Sequence, residues 1–231
     1  MVGFPIRQPN HRDDAIITAS GKSGSIGNPD TGRLAGGVLL VAAILSIIAM
    51  AHHPSGQESG GAQVGMTLGG FIHATMIVLL TANLWGLTVF SVRQGLGGWM
   101  LAGILVYGIS FIGHLLAAMI NGFIVPAVAA GVEHAGSGDL FILLWQSNQA
   151  AATLGIYSAS MAFFIWSAFL LRRKRPADLA VGSLGLLVAL VPAAALFSGV
   201  ITLNVDGALF AYGVHAGWTG LVGLQMLRRS L

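Results

Sequence analysis

The chain has no cysteine among its 231 residues. That absence excludes disulfides, thiolate metal sites and covalent c-type haem attachment. It also means that topology, not thiol usage, must indicate the compartment. Charge is almost as scarce: only 8% of residues are Asp, Glu, Lys or Arg, against roughly a quarter in soluble domains. An ordinary soluble enzyme and a disordered chain are excluded on that ground. A sequence pI near 9.8 superficially suits a nucleic-acid binder. It rests, however, on eleven basic against eight acidic residues, a net charge of +3, which is too small an excess to hold a phosphate backbone. The only lysines, Lys22 and Lys174, lie outside every apolar stretch, so a retinal Schiff base in its usual form is excluded. No GxSxG elbow supports a serine hydrolase.

What is abundant is apolar surface. Hydrophobic residues make up 55% of the chain, and the mean hydropathy is +0.80. A membrane core about 30 Å thick takes about 20 apolar residues as helix. Six stretches meet that length: 34–51, 64–92, 98–130, 140–171, 179–203 and 207–227. They are too long and too continuous for barrel strands. The sequence therefore predicts an all-α polytopic membrane protein, a six-transmembrane-helix bundle. A polar arm, residues 1–32, precedes the transmembrane domain, residues 33–231. The third stretch is expected to break near Pro126, where the ring removes a backbone donor and crowds the preceding turn. The 33 glycines point to closely packed membrane helices.

With six spans, all eleven basic residues fall on one side: Arg7, Arg12, Lys22, Arg33, Arg93, Arg172, Arg173, Lys174, Arg175, Arg228 and Arg229. Positive residues stay cytoplasmic. Both termini are therefore expected inside a bacterial-type inner membrane, and the Arg172–Pro176 turn reads as a topology anchor. Ala49-Met50-Ala51 also fits a small-residue cleavage site. The long polar tail and the long apolar stretch before it favour a span over a signal peptide.

This topology puts His52, His53, His73, His114, His134 and His215 in the outer half and leaves only His11 inside. His73, His114 and His215 lie within spans, at one expected depth. Ionisable groups there normally face the bundle interior. Their helical neighbours are small or polar: Ser110, Tyr107 and Asn121 around His114, Gly69 and Gly70 around His73, Tyr212 and Thr219 around His215. On the fourth span Gln146, Gln149, Thr153, Tyr157 and Ser160 form one polar stripe at steps of three and four. The fifth span has little polarity and is expected at the periphery. Glu58, Glu133, Asp139 and Asp206 lie outside with no basic partner on their side.

Three chemistries fit this pattern. The first is one haem b near the outer face, gripped by two of His73, His114 and His215. The inner halves hold no histidine, so a two-haem wire across the membrane is excluded with His ligands. The second is a copper or zinc ion held among His52, His53, His73, His114 and His215, with an open position. Met50, Met66, Met76 and Met119 would favour Cu(I). Gln146, Gln149, Tyr107, Tyr212, Asn121, Glu58 and Glu133 would surround the ligands. The third is a cofactor-free subunit or small-solute transporter with a polar cleft. The first two imply redox chemistry or electron transfer at the periplasmic face, in a subunit of a larger membrane complex. The lipid bilayer is the one partner common to all three, and nucleic acid is a partner in none.

Overall fold

The computed structural model describes residues 29–53, 68–131 and 137–229, and these are helical throughout apart from short turns. Helix α1 is Pro29–Ala51 and α2 is Leu68–Arg93. Helix α3, Gly98–Met119, runs through a π-helical turn, Ile120–Ile124, into α4, Val125–Gly131. Helix α5 is Ser137–Arg172, α6 is Pro176–Phe197 and α7 is Val205–Arg229. Among the described residues, five segments are long and apolar enough to cross a membrane: α1, α2, the α3–α4 segment, α5 and α6.

Helix α7 has the length but less hydropathy, because its interior face carries His215, Trp218, Thr219, Gln225 and several glycines. It packs against α1, α2, α5 and α6. The α1–α7 approach is backbone on backbone. A Cβ on Gly36 would lie 2.7 Å from the Gly223 carbonyl oxygen, and one on Gly223 would lie 2.6 Å from that of Gly36. Small residues let membrane helices come this close. Helix α6 is the least buried span, with 28% of its apolar window covered, in keeping with the periphery expected for the fifth stretch. Large apolar side chains on the outward faces of the helices, such as Val41, Ile44 and Ile48 of α1 and Leu101, Leu105 and Ile112 of α3, remain exposed. A continuous apolar exterior of this kind suits a lipid environment.

The segment before Pro126 does not break. It widens: the Val125 N–H donates to the Ile120 carbonyl, five residues back. The π turn absorbs the crowding that proline imposes on the preceding turn while the helix continues. The fifth stretch ends at Phe197 rather than 203. Gly199 there adopts φ +73°, and its N–H donates to the Leu196 carbonyl at 3.2 Å. Asn204 then starts α7, its Oδ1 accepting the Gly207 N–H at 2.9 Å, an N-cap of the usual kind.

The basic ends of the helices are tied together. Arg93 reaches the Pro29 carbonyl at the start of α1. Arg173 donates to Gln94 Oε1, and the Arg172 guanidinium sits 4.4 Å over the Trp99 ring at the start of α3. Asp178, near the start of α6, is fully buried. It accepts from Gln225 Nε2 at 2.8 Å and from Arg229, both on α7, and lies 3.9 Å from Arg173 Nε. The Arg172–Pro176 turn is thus more than a topology anchor, since two of its arginines fasten neighbouring helices. Removing the buried carboxylate leaves Gln225 without its acceptor and two partly exposed arginines without their partner. Asp178→Ala is expected to lower unfolding stability in detergent by about 2 kcal/mol. Asp139→Ala, at an exposed position, should stay close to the parent in the same unfolding titration.

Candidate functional site

His73, His114 and His215 are all buried, at 8%, 6% and 6% exposure. Each has a specific seat. The His114 ring lies on Gly155 of α5, where any Cβ would run into its Cδ2 and Nε2. The helices meet here because Gly113 is equally bare: a Cβ on it would be 2.7 Å from the Ala151 carbonyl oxygen. His73 rests in the same way against Gly122 in the π turn. His215 meets the Phe163 ring edge-on at 5.0 Å, and its Nε2 is 3.3 Å from Ser160 Oγ.

The hydrogen bonds decide which ring nitrogen carries the proton. Ser110 Oγ donates to the Gly155 carbonyl at 2.8 Å. Its one proton is committed there, so it accepts from His114 Nδ1–H at 3.3 Å. His114 Nε2 is then a bare lone pair, buried and without a hydrogen-bond partner among the described residues. His73 follows the same rule. Its Nδ1 lies 2.7 Å from the Gly69 carbonyl, which only accepts, so Nδ1 is protonated and Nε2 is bare. His53 Nε2 approaches that lone pair at 3.2 Å, with the rings edge-to-face at 4.9 Å.

His114 and His215 share a chamber of about 40 Å³, lined also by Ser46, Asn83, Tyr107 and Tyr212. Every helix of the bundle except α6 and the short α4 contributes to its wall. The Tyr212 ring is 4.9 Å from that of His114. Asn83 Oδ1 is a second buried acceptor without a partner among the described residues. The volume admits about two or three water-sized molecules.

His73 does not line this chamber. Gly122, its seat, lies eight residues beyond His114 along the same segment, which is about 12 Å at helical rise. The histidines therefore occupy steps rather than one level. The expectation of a common depth fails because the seat of His73, at Gly122, lies about two helical turns beyond His114 along the same segment. Among the described residues, no group of three or more His, Asp or Glu side chains is placed to hold one metal ion. His52 is exposed and turns its Nδ1 back to the Ile48 carbonyl at 2.8 Å.

Of the surrounding residues named from sequence, Tyr107 and Tyr212 line the chamber. Asn121 sits half-buried in the π turn. Gln146 is exposed, and Gln149 is half-buried with its Nε2 3.3 Å from the Leu203 carbonyl. Neither glutamine reaches the chamber. The buried face of α5 runs through Asn148, Ala152, Ile156 and Ala159, one residue away from the polar stripe. Only Ser160 of that stripe is fully buried. Glu58, Glu133, His134 and Met66 lie outside the described residues. Asn83 and Ser46 were missed by sequence reasoning as chamber residues, whereas Ser110, named from sequence as a neighbour one helical turn from His114, does not line the chamber but contacts the His114 ring nitrogen.

Comparison with protein-family models, with curated proteins and with solved structures finds no match to this chain. The class it defines is a multi-pass helical membrane protein with buried, oriented histidines, and its chemistry rests on that geometry alone.

Ser110→Ala removes the acceptor of His114 Nδ1–H and the donor to the Gly155 carbonyl. Leaving the buried His114 Nδ1–H unpaired is expected to cost about 2 kcal/mol in unfolding stability. Ser198→Ala, on an exposed turn, should cost nothing measurable in the same assay.

Proposed function

We propose that the protein is a six-span inner-membrane protein, both termini cytoplasmic, whose outward histidine chamber holds a copper or zinc ion. Its role would be redox chemistry or electron transfer near the periplasmic face, as part of a larger membrane complex. The observation that carries the reading is the bare, buried Nε2 of His114. A metal-ligating histidine typically donates its other ring N–H to a fixed acceptor, which sets the tautomer. The Gly155 carbonyl, Ser110 hydroxyl and His114 Nδ1–H form such a chain. His215 in the same chamber supplies a second imidazole, and water completes the coordination. A bare ion with one or two waters suits about 40 Å³, whereas haem b would require the helices to part.

The one-sided basic residues support the orientation. Helix α7, 25 residues long and about 37 Å at helical rise, is long enough for the sixth span. A polar cleft without a cofactor is the second reading. It is favoured by the division of the histidines between two levels.

Elemental analysis and an optical spectrum of the purified protein test the reading. Copper or zinc near one per chain is expected. His114→Ala should lower that occupancy by about tenfold or more, while His11→Ala, on the polar arm, should leave it unchanged. A reducible Soret band would select haem instead, and no bound ion after supply of copper and zinc would leave the cofactor-free cleft. Because the chain lacks cysteine, single-cysteine labelling reads topology directly. Ser198→Cys is expected to react with an impermeant reagent from outside, and Lys174→Cys only after the membrane is opened.

A further inference from the structure

The outer ends of α1 and α2 carry matched side chains at helical spacing. His53 and His73 face each other, Nε2 to Nε2, at 3.2 Å. His53 is held above Met50, with its N–H donating to the Met50 carbonyl at 3.2 Å. Three residues inward from His53 and His73 stand Met50 and Met76, a step of about 4.5 Å at helical rise. Both thioethers are buried, at 6% and 7% exposure. They belong to one apolar cluster with Ile72, against which Tyr212 also packs. Met76 and Tyr212 are themselves chamber-lining residues, together with Ser46 below Met50 on α1. Met76 and Tyr212 are shared by the cluster and the chamber, and His53 and His73 stand about one helical turn beyond Met50 and Met76.

We propose that this seam is an uptake path for Cu(I), which passes from the outer histidine pair over the Met50 and Met76 sulfurs to His114. The proposal rests on the metal reading of the chamber and deepens it by naming the ion and its route. Ligand softness makes the choice. Thioethers bind Cu(I) well and Zn(II) poorly. A buried pair of methionines between two imidazole sites is therefore a step for copper and a barrier for zinc. Methionine is also flexible enough to swing its sulfur between two positions. Each transfer is a ligand exchange. One nitrogen or sulfur bond to copper forms as another breaks, and the ion stays Cu(I), so no electron donor or acceptor is needed. His73 and His114 present bare Nε2 atoms, so they bind without losing a proton. His53 needs only to move its ring proton from Nε2 to Nδ1.

The test uses the full chain in lipid nanodiscs, stripped of metal and mixed with Cu(I) carried by bicinchoninate. Loss of the coloured complex gives the loading rate. Met50→Leu and Met76→Leu keep volume and apolarity and should preserve the melting profile. Each is expected to slow Cu(I) loading by about tenfold while leaving the final copper content unchanged. Zn(II) loading should be the same in parent and variants. In His114→Ala the little copper that remains should sit on the seam, giving a copper–sulfur signature in X-ray absorption. If both methionine variants load Cu(I) at the parental rate while His114→Ala still loses copper, the path is overturned and the chamber site stands. If the parent takes up neither ion, both are overturned.

Discussion

Two of the three buried imidazoles, His73 and His114, fit between the helices only because the facing residue has no side chain. That steric condition governs the interior of this protein. His114 occupies the space a side chain at Gly155 would fill, and His73 occupies that of Gly122. The same glycines bring carbonyl groups within reach of side chains, so the Gly155 carbonyl satisfies Ser110, which in turn orients His114. Lipid offers no hydrogen bonds, so a polar group inside the bundle must find its partner there. Bare backbone supplies both the room and the partner.

The position of α7 follows from the same condition. Its hydropathy is lowered by the polar residues it turns inward, yet it packs against α1 through Gly36 and Gly223 in backbone contact. A helix so enclosed needs little apolar exterior of its own. Its far end is fastened by Gln225 and Arg229 to the buried Asp178. The interior thus has a rigid, ion-paired end and an end where histidine and methionine side chains face one another. Stiffness at the basic end fixes the register of α5, α6 and α7, on which the placing of Ser160 beside His215 depends.

Much of the fold was legible in the sequence because apolar length is a strong signal. The positions of the helices agree with the stretches read from hydropathy, with shifts of a few residues at their ends. The burial of the three histidines was legible from their small neighbours. Their relative depth was not. Depth depends on where each helix starts and how it tilts, and no local pattern encodes the eight-residue offset between His114 and the level of His73. The face of α5 was misjudged by one residue, about 100° of helix rotation. Two stripes compete there, the polar one through Gln149, Thr153 and Tyr157 and the small-residue one through Ala152, Gly155 and Ala159. Close approach to α3 decides for the small residues, because a glutamine cannot enter the contact that Gly113 and Gly155 make. Asp178 was passed over since one acidic residue beside four basic ones reads as an ordinary loop charge.

The tautomers give the interior a common sense of direction. Both His73 and His114 spend Nδ1–H on a local acceptor one helical turn back, Gly69 and Ser110 respectively. This local choice is available to any helical histidine whose turn offers an oxygen there. It commits the longer-reaching Nε2 to whatever lies across the helix seam. At His73 that is another imidazole, and at His114 it is the bare backbone of Gly155 beside the chamber. A neutral ring with an uncommitted lone pair is the form in which histidine binds a transition metal, and also the form least costly to keep away from water. Burial and the hydrogen bond to Ser110 therefore favour the same protonation state of His114.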